Sequence, residues 1–380
     1  MKKTEAITTV ETGSTPTAQP GKWRRALSFQ NISAIYIFVV LFAIFAILTP
    51  RTFLTPGTWL VLLDAQSITV LAAVAVLIPL VTGAFNLAIG AEVGFAVILV
   101  AVLQVQLNVP WGLAVPITIL AGALIGLVSG LLITRVKIDS FIATLGMSSV
   151  LLAGLSFLSE NRQIIGLQDG FRQFATGGLS LSVENPNFKI TNPVFIMLVI
   201  SLVVWYLLER TPAGRRMYAA GYNPDGARLS GVNVDRLRII ALMSGGVIAG
   251  FAGVLLASRI NAGDPTVGPG LLLPALTAVF LGSTQFKGGR FNVWGTVISV
   301  YVLAVGIKGL QLLGAQNWVS DLFNGVALLA AVGLSRWERT ARRAGAVRRA
   351  LPFSKSNKTD PPSDGPTDAQ ATPEKEMART

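Results

Sequence analysis

An all-α, polytopic membrane fold is what this sequence predicts, and three observations carry the prediction. The chain is 52% hydrophobic and only 13% charged, with mean hydropathy +0.61, whereas a soluble domain carries roughly a quarter charged residues. Its apolar runs are far longer than the alternating segments of roughly ten residues that build a membrane barrel. Only helices and closed barrels satisfy every backbone group inside lipid, so long apolar runs mean transmembrane helices, about ten of them.

Taken in order, residues 1–29 are polar, Thr-rich and basic, and read as a disordered segment without a cleavable leader. The first span covers 32–48, and 49–57 is a loop with two prolines. The second covers 68–81, starting as early as Leu60. The run TGAFNLAIG breaks the pattern at Gly83 and Gly90. Spans three to five follow at 87–105, 113–133 and 141–158, joined by the turn LNVPWG and the basic turn TRVKID. Residues 160–193 are too polar to span. Span six is 194–208, followed by an arginine-rich stretch at 209–238. Span seven, 239–257, carries Gly245, Gly246, Gly250 and Gly253, which invite another helix to approach closely. A Gly/Pro loop at 261–270 leads to 271–281, which is short, contains Pro274 and reads as spanning, broken or re-entrant. The basic glycine turn STQFKGGRFN precedes the last two spans, 293–307 and 319–332. The tail 335–380 is Arg-rich, then Pro/Ser/Asp-rich, and reads as disordered. A single membrane domain therefore occupies 30–334.

Charge orients this domain. With the N-terminus inside and alternating spans, only Arg51, Arg162, Arg172, Lys189, Arg259 and Lys308 fall outside, out of 31 basic residues. By the positive-inside rule both termini and the stretch 209–238 are cytoplasmic, and the loop 160–193 is external. Two halves of five spans would begin with opposite orientation, the arithmetic of an inverted repeat, although no residue-level self-similarity accompanies it. The net charge of +12 is thereby read as topology and contact with lipid headgroups rather than nucleic-acid binding.

Composition also excludes chemistry. The chain has no Cys and no His, which removes thiolate and imidazole metal sites, Ser/His/Asp and Cys/His catalysis and histidine proton relays. No catalytic residue, cofactor or metal is expected. No GxxxxGK[ST] phosphate loop occurs, so an energy source would have to be another protein. Glu92 is the only carboxylate clearly inside a span. It reads either as a functional group on a substrate pathway or as an end-of-span residue that is solvated or paired. Asn86, between Gly83 and Gly90, marks either a helix break near a pathway or a tight turn. Trp294, like Trp111 and Trp318, sits near a span end, where an aromatic belt competes with stacking on a sugar.

Within 209–238 the pattern Asn223-Pro224-Asp225 predicts a short capped helix. Asn223 offers an N-cap oxygen, Pro224 suits the first helical position, Asp225 complements the dipole and Gly231 closes the helix in a left-handed turn.

The runs GAFNLAIG, IDSFIATLGMSSVLLAGLS, TPAGRRMYAAGYNPDGARLSGVNVDRLR, MSGGVIAGFAGVLLASR and GGRFNVWGT, in that order over about residues 60–334, resemble the ribose-type permease subunits of bacterial ABC importers. The resemblance implies a homodimeric or heterodimeric pore working with cytosolic ABC ATPase subunits and an extracytoplasmic solute-binding protein in the inner membrane. It implies alternating access for a sugar or polyol, with no covalent chemistry on this chain. It also implies a coupling helix that docks in the ATPase, carried here by Gly214, Arg215, Ala220, Gly221, Asn223, Ala227, Arg228, Leu229, Ser230 and Gly231. The chain departs from the family where a Gly-Ile-Asp-Leu-Ser run is replaced by Ala84 to Ala88, where an acidic run is replaced by Leu272 to Ala275, and where Gly226 stands for alanine. Two other readings remain: an ion-coupled secondary transporter, which would need intramembrane acids, and an ABC permease for branched-chain amino acids or nucleosides.

Overall fold

The computed structural model describes residues 29–180, 189–285 and 289–333. The expectations for residues 1–28 and for the basic tail lie outside them, as do 181–188 of the long loop and 286–288 of the basic turn. The chain runs α1 (Phe29–Leu48), α2 (Pro50–Phe53), α3 (Pro56–Val81), α4 (Ile89–Val105), α5 (Trp111–Thr134), α6 (Ser140–Ser159), β1 (Ile164–Ile165), α7 (Asp169–Thr176), β2 (Gly178–Ser180), β3 (Lys189–Thr191), α8 (Asn192–Arg210), α9 (Pro212–Tyr222), α10 (Pro224–Leu229), α11 (Val234–Ile260), β4 (Ala262–Gly263), a 3-10 turn (Pro269–Leu271), α12 (Leu272–Gln285), α13 (Val293–Leu312) and α14 (Trp318–Gly333).

Six of these helices, α3, α5, α6, α8, α11 and α13, are long and apolar enough to cross a membrane. Four shorter apolar stretches, Phe38–Leu48, Ile89–Val105, Pro269–Thr284 and Trp318–Gly333, fall on the remaining predicted runs. The chain is a multi-pass helical membrane protein. Among the described residues four strands of two or three residues each accompany the helices; β1 pairs with β4 and β2 with β3, both antiparallel.

The bundle is built around α3. Every residue from Ser67 to Val81 is buried, as expected of a helix that is apolar all round. Pro79 lies in its last turn. Proline has no N–H to give the Ala75 carbonyl, and Gly245 of α11 comes in beside that oxygen, where a Cβ would be 2.8 Å away. Helices α8, α11, α12 and α13 pack around α3.

The tightest pairing is between α5 and α11. Gly122 and Gly246 face each other so closely that a Cβ on either would overlap the other's carbonyl oxygen, and one on Gly126 would overlap Leu242 O. Small residues let helix backbones meet this way in lipid, where packing rather than water exclusion drives association. The outer faces of α5, α6 and α8 expose Leu120, Leu124, Ile142, Phe157, Val199 and Leu202, suitable for lipid.

Helix boundaries extend beyond the apolar runs. α11 begins at Val234 rather than 239, capped by Asn233, whose Oδ1 accepts from Arg236 N–H at 2.9 Å. α3 begins at Pro56, and α2 occupies the loop before it. The polar stretch 160–193 holds α7, an amphipathic helix with Phe171 and Ala175 buried. The Ser258 hydroxyl of α11 donates to Phe171 O at 2.5 Å and accepts from Ala175 N–H at 3.0 Å, which pins α7 to the bundle. At the same end Asp64 of α3 pairs with Arg259 of α11 at 2.6 Å and accepts from the Thr191 hydroxyl at 2.5 Å.

Candidate functional site

The arginine-rich stretch folds into two helices, α9 and α10, where the sequence pattern had indicated one. Both begin with the same device, a polar cap followed by proline. The Thr211 hydroxyl accepts from Gly214 N–H at 3.3 Å and donates to Leu207 O at 2.5 Å. Asn223 Oδ1 accepts from Gly226 N–H at 2.9 Å, the predicted cap. Gly231 closes α10 with φ +80°, and Val232 N–H donates back to Ala227 O at 3.0 Å. Ala220, Ala227 and Val234 bury together beneath the pair.

The pair is tied down on three sides. Gly214 sits on the end of α8, where any Cβ would overlap Leu208 O. Arg228 bridges Asp225 at 3.5 Å and Asp235 at 3.1 Å, linking α10 to α11. The Tyr218 hydroxyl donates to Phe291 O at 2.6 Å while the Arg290 guanidinium stacks on its ring at 3.7 Å. Burial pushes the Tyr218 phenol above its ordinary pKa, with Arg290 acting in the opposite sense, so the hydroxyl stays a donor. What the pair leaves outward is Leu229, 91% exposed, with Tyr222, Arg215, Arg216 and Ser230 also exposed.

Behind the pair lies a helix break. Gly83 adopts φ +80° and ends α3; Gly221 of α9 rests on that turn, and a Cβ there would overlap Val81 O and come within 3.2 Å of Gly83 N. Non-helical backbone inside a membrane protein must find other partners. Here α6 supplies them: Phe85 N–H donates to the Ser140 hydroxyl at 3.2 Å and Leu87 N–H to the Thr144 hydroxyl at 3.1 Å.

Asn86 and Glu92 meet in this break. Asn86 Oδ1 accepts from Ala88 N–H at 3.0 Å, and its amide donates to Glu92 Oε1 at 3.2 Å. The two residues are 1% and 2% exposed. Glu92 Oε2 is buried without a hydrogen-bond partner among the described residues. Glu92 lies in the first turn of α4, where a carboxylate complements the helix dipole. It is thus paired and buried rather than solvated. Trp294 is in other company, its ring centroid 6.4 Å from Trp205, itself under Arg210 at 5.6 Å.

The family model described as branched-chain amino acid transport system / permease component matches residues 59–332, from the start of α3 through nearly all of α14. The chain belongs to this family. Among the permease's relatives, the ribose import permease protein of Bacillus subtilis is 34% identical over 299 residues, 78% of this chain and 90% of the relative. That of Escherichia coli K12 is 31% identical over 295 residues, 77% of this chain and 90% of the relative. The L-arabinose ABC transporter permease protein of Azospirillum brasilense is 32% identical over 332 residues, 86% and 93% of the two chains. No solved structure matches the permease.

Of the permease residues singled out from sequence, Gly214, Ala220, Gly221 and Ala227 hold the helix pair against the bundle. Asn223 and Gly231 shape α10, and Ser230 donates to Gly226 O at 2.9 Å. Arg215 and Leu229 face outward. Thr211, Tyr218, Ser140 and Thr144 were not singled out. The Thr211-Pro212 pair repeats the Asn223-Pro224 signature and was legible; the other three act across long sequence separations and were not.

Proposed function

We propose that this chain is the membrane-spanning permease subunit of an ATP-driven ABC importer, carrying a monosaccharide or related polyol into the cytoplasm by alternating access. The observation that carries this reading is the α9–α10 tip. It is rigidly capped, presents Leu229 outward and rests through Gly221 on the break that ends α3, the helix buried without interruption from Ser67 to Val81. A push on this tip is delivered directly to α3 and, through residues 82–88, to Asn86 and Glu92 at the head of α4. ATP would be hydrolysed on a separate subunit pair docked at α9–α10, and this chain has no catalytic role.

The cargo reading is supported by the relatives, whose names are ribose, fructose, L-arabinose and D-allose import or transport permeases. None of these names an amino acid or a nucleoside. Asn86, Glu92 and Trp294 remain candidates for the pathway, the first two as a polar pair and the third as a ring at a span end.

The arrangement in the inner membrane has ten spans, four of them the shorter apolar helices, in two halves of five with opposite orientation. Both termini and α9–α10 face the cytoplasm, and 160–193 faces outward. Lys137, Arg228 and Arg238 line one cavity and Arg290 stacks on Tyr218 of α9, so three basic turns share one end of the bundle. That supports a cytoplasmic end by the positive-inside rule. An extracytoplasmic solute-binding protein, a second permease copy, identical or not, and membrane lipid complete the assembly.

The test is reconstitution in proteoliposomes with the ATPase pair and binding protein, measuring uptake of labelled ribose. Uptake should require ATP and the binding protein. Uptake driven by an ion gradient without ATP would overturn the reading in favour of a secondary transporter, with Glu92 as its intramembrane acid.

A further inference from the structure

A polar cavity of about 380 Å³ opens beside α10, lined by Gly83 and Ala84 of the break, by Thr134, Lys137, Asp139 and Ser140 around the α5–α6 turn, and by Arg228, Asp235 and Arg238. Three cations, Lys137, Arg228 and Arg238, and two carboxylates, Asp139 and Asp235, line it. The carboxylates are already engaged: Asp235 by Arg228 at 3.1 Å, and Asp139 Oδ1 by Phe141 N–H at 2.9 Å. Arg228 is likewise taken, by Asp225 and Asp235. Lys137 and Arg238 make no ion pair among the described residues. Arg238 Nε is buried without a hydrogen-bond partner, and its guanidinium lies beside Gly83. The Ser140 hydroxyl accepts from Phe85 N–H and keeps its own hydrogen to donate.

A half-buried guanidinium without an ion pair among the described residues, sharing its cavity with the exposed Lys137 and the Ser140 hydroxyl, offers a site for a tetrahedral oxyanion. The planar fork of arginine matches two phosphate oxygens, and lysine adds a point charge. We propose that this cavity binds a phosphate group, carried by a soluble phosphomonoester or by an anionic lipid headgroup. Bound there, the phosphate joins Arg238 of α11 to Lys137 of the α5–α6 turn at the spot where α9 rests on Gly83.

The supply of phosphate from the cytoplasm rests on the orientation given under Proposed function; binding itself does not. The experiment therefore uses the full chain in nanodiscs, where both faces are open, titrated with inorganic phosphate and followed by phosphorus NMR line width. In phosphatidylcholine discs binding saturates; Lys137→Gln weakens it about tenfold and Lys137→Arg restores it. Discs containing phosphatidylglycerol separate the sources, since weaker phosphate binding there assigns the headgroup and unchanged binding the soluble ester. Absence of saturable binding in phosphatidylcholine discs, or equal affinity in the Lys137→Gln chain, overturns the proposal. Arg238→Gln should act as Lys137→Gln does, but its place in α11 makes Lys137 the deciding position.

Discussion

Gly221 lies on the carbonyl of Val81 with no room for a side chain between them, since a Cβ there would overlap that oxygen. Two residues on, Gly83 turns the chain at φ +80° out of α3. The α9–α10 tip and the buried end of α3 thus touch backbone to backbone, without a compliant side chain in between. Close-packed interiors transmit small displacements rather than absorbing them.

Gly221→Ala should therefore lift α9 off α3. The overpacking costs about 1–3 kcal/mol, and ATP-dependent uptake per permease in the membrane should fall at least about tenfold, given how much small misplacements cost an aligned site. Uptake and thermal midpoint both matching the parent would contradict the brace.

Asn223→Ala removes the cap of α10 and should cost about 1 kcal/mol locally. Asn223→Asp keeps an accepting oxygen and should retain function. Co-purification of the ATPase with each variant checks this: the alanine chain should hold less ATPase and the aspartate chain a normal amount.

Leu229→Asp separates docking from stability. The side chain is 91% exposed, so the melting temperature should stay within the shift caused by about 0.5 kcal/mol. ATPase stimulation by the permease should nonetheless be lost, because an apolar knob becomes a charge. Normal stimulation would remove Leu229 from the docking surface.

Asn86→Ala should destabilise the chain by about 1–3 kcal/mol, because Ala88 N–H and Glu92 Oε1 lose a buried partner together. Glu92→Gln keeps an oxygen able to accept from Asn86 and should melt close to the parent. Comparing the two melting temperatures in detergent decides it, and equal values would mean the pair is not structural.

The apolar runs were legible because lipid demands them, and ten helical stretches lie where those runs do. Their ends were harder to read. A hydropathy reading stops at the first charge, yet α11 continues through Asp235, Arg236 and Arg238 because Asn233 caps it and Arg228 pairs with Asp235. The capped turn at Asn223 was readable from the three consecutive residues Asn223-Pro224-Asp225 and the closing Gly231. The partners of the break were not: Ser140 and Thr144 meet Phe85 and Leu87 across more than fifty positions, and nothing local announces such a pairing. For the same reason α7 passed as a polar loop, since its anchor is Ser258.

The glycine contacts between α5 and α11 set a kinematic limit. Two helices meeting backbone to backbone cannot slide by a residue, because each carbonyl is seated in the gap left by the facing glycine, nor can they roll without colliding. They form one lever arm. Since α9–α10 lead directly into α11, the stroke delivered at the tip must carry α5 with it, and the slip planes of the transport cycle must run along the side-chain interfaces elsewhere in the bundle.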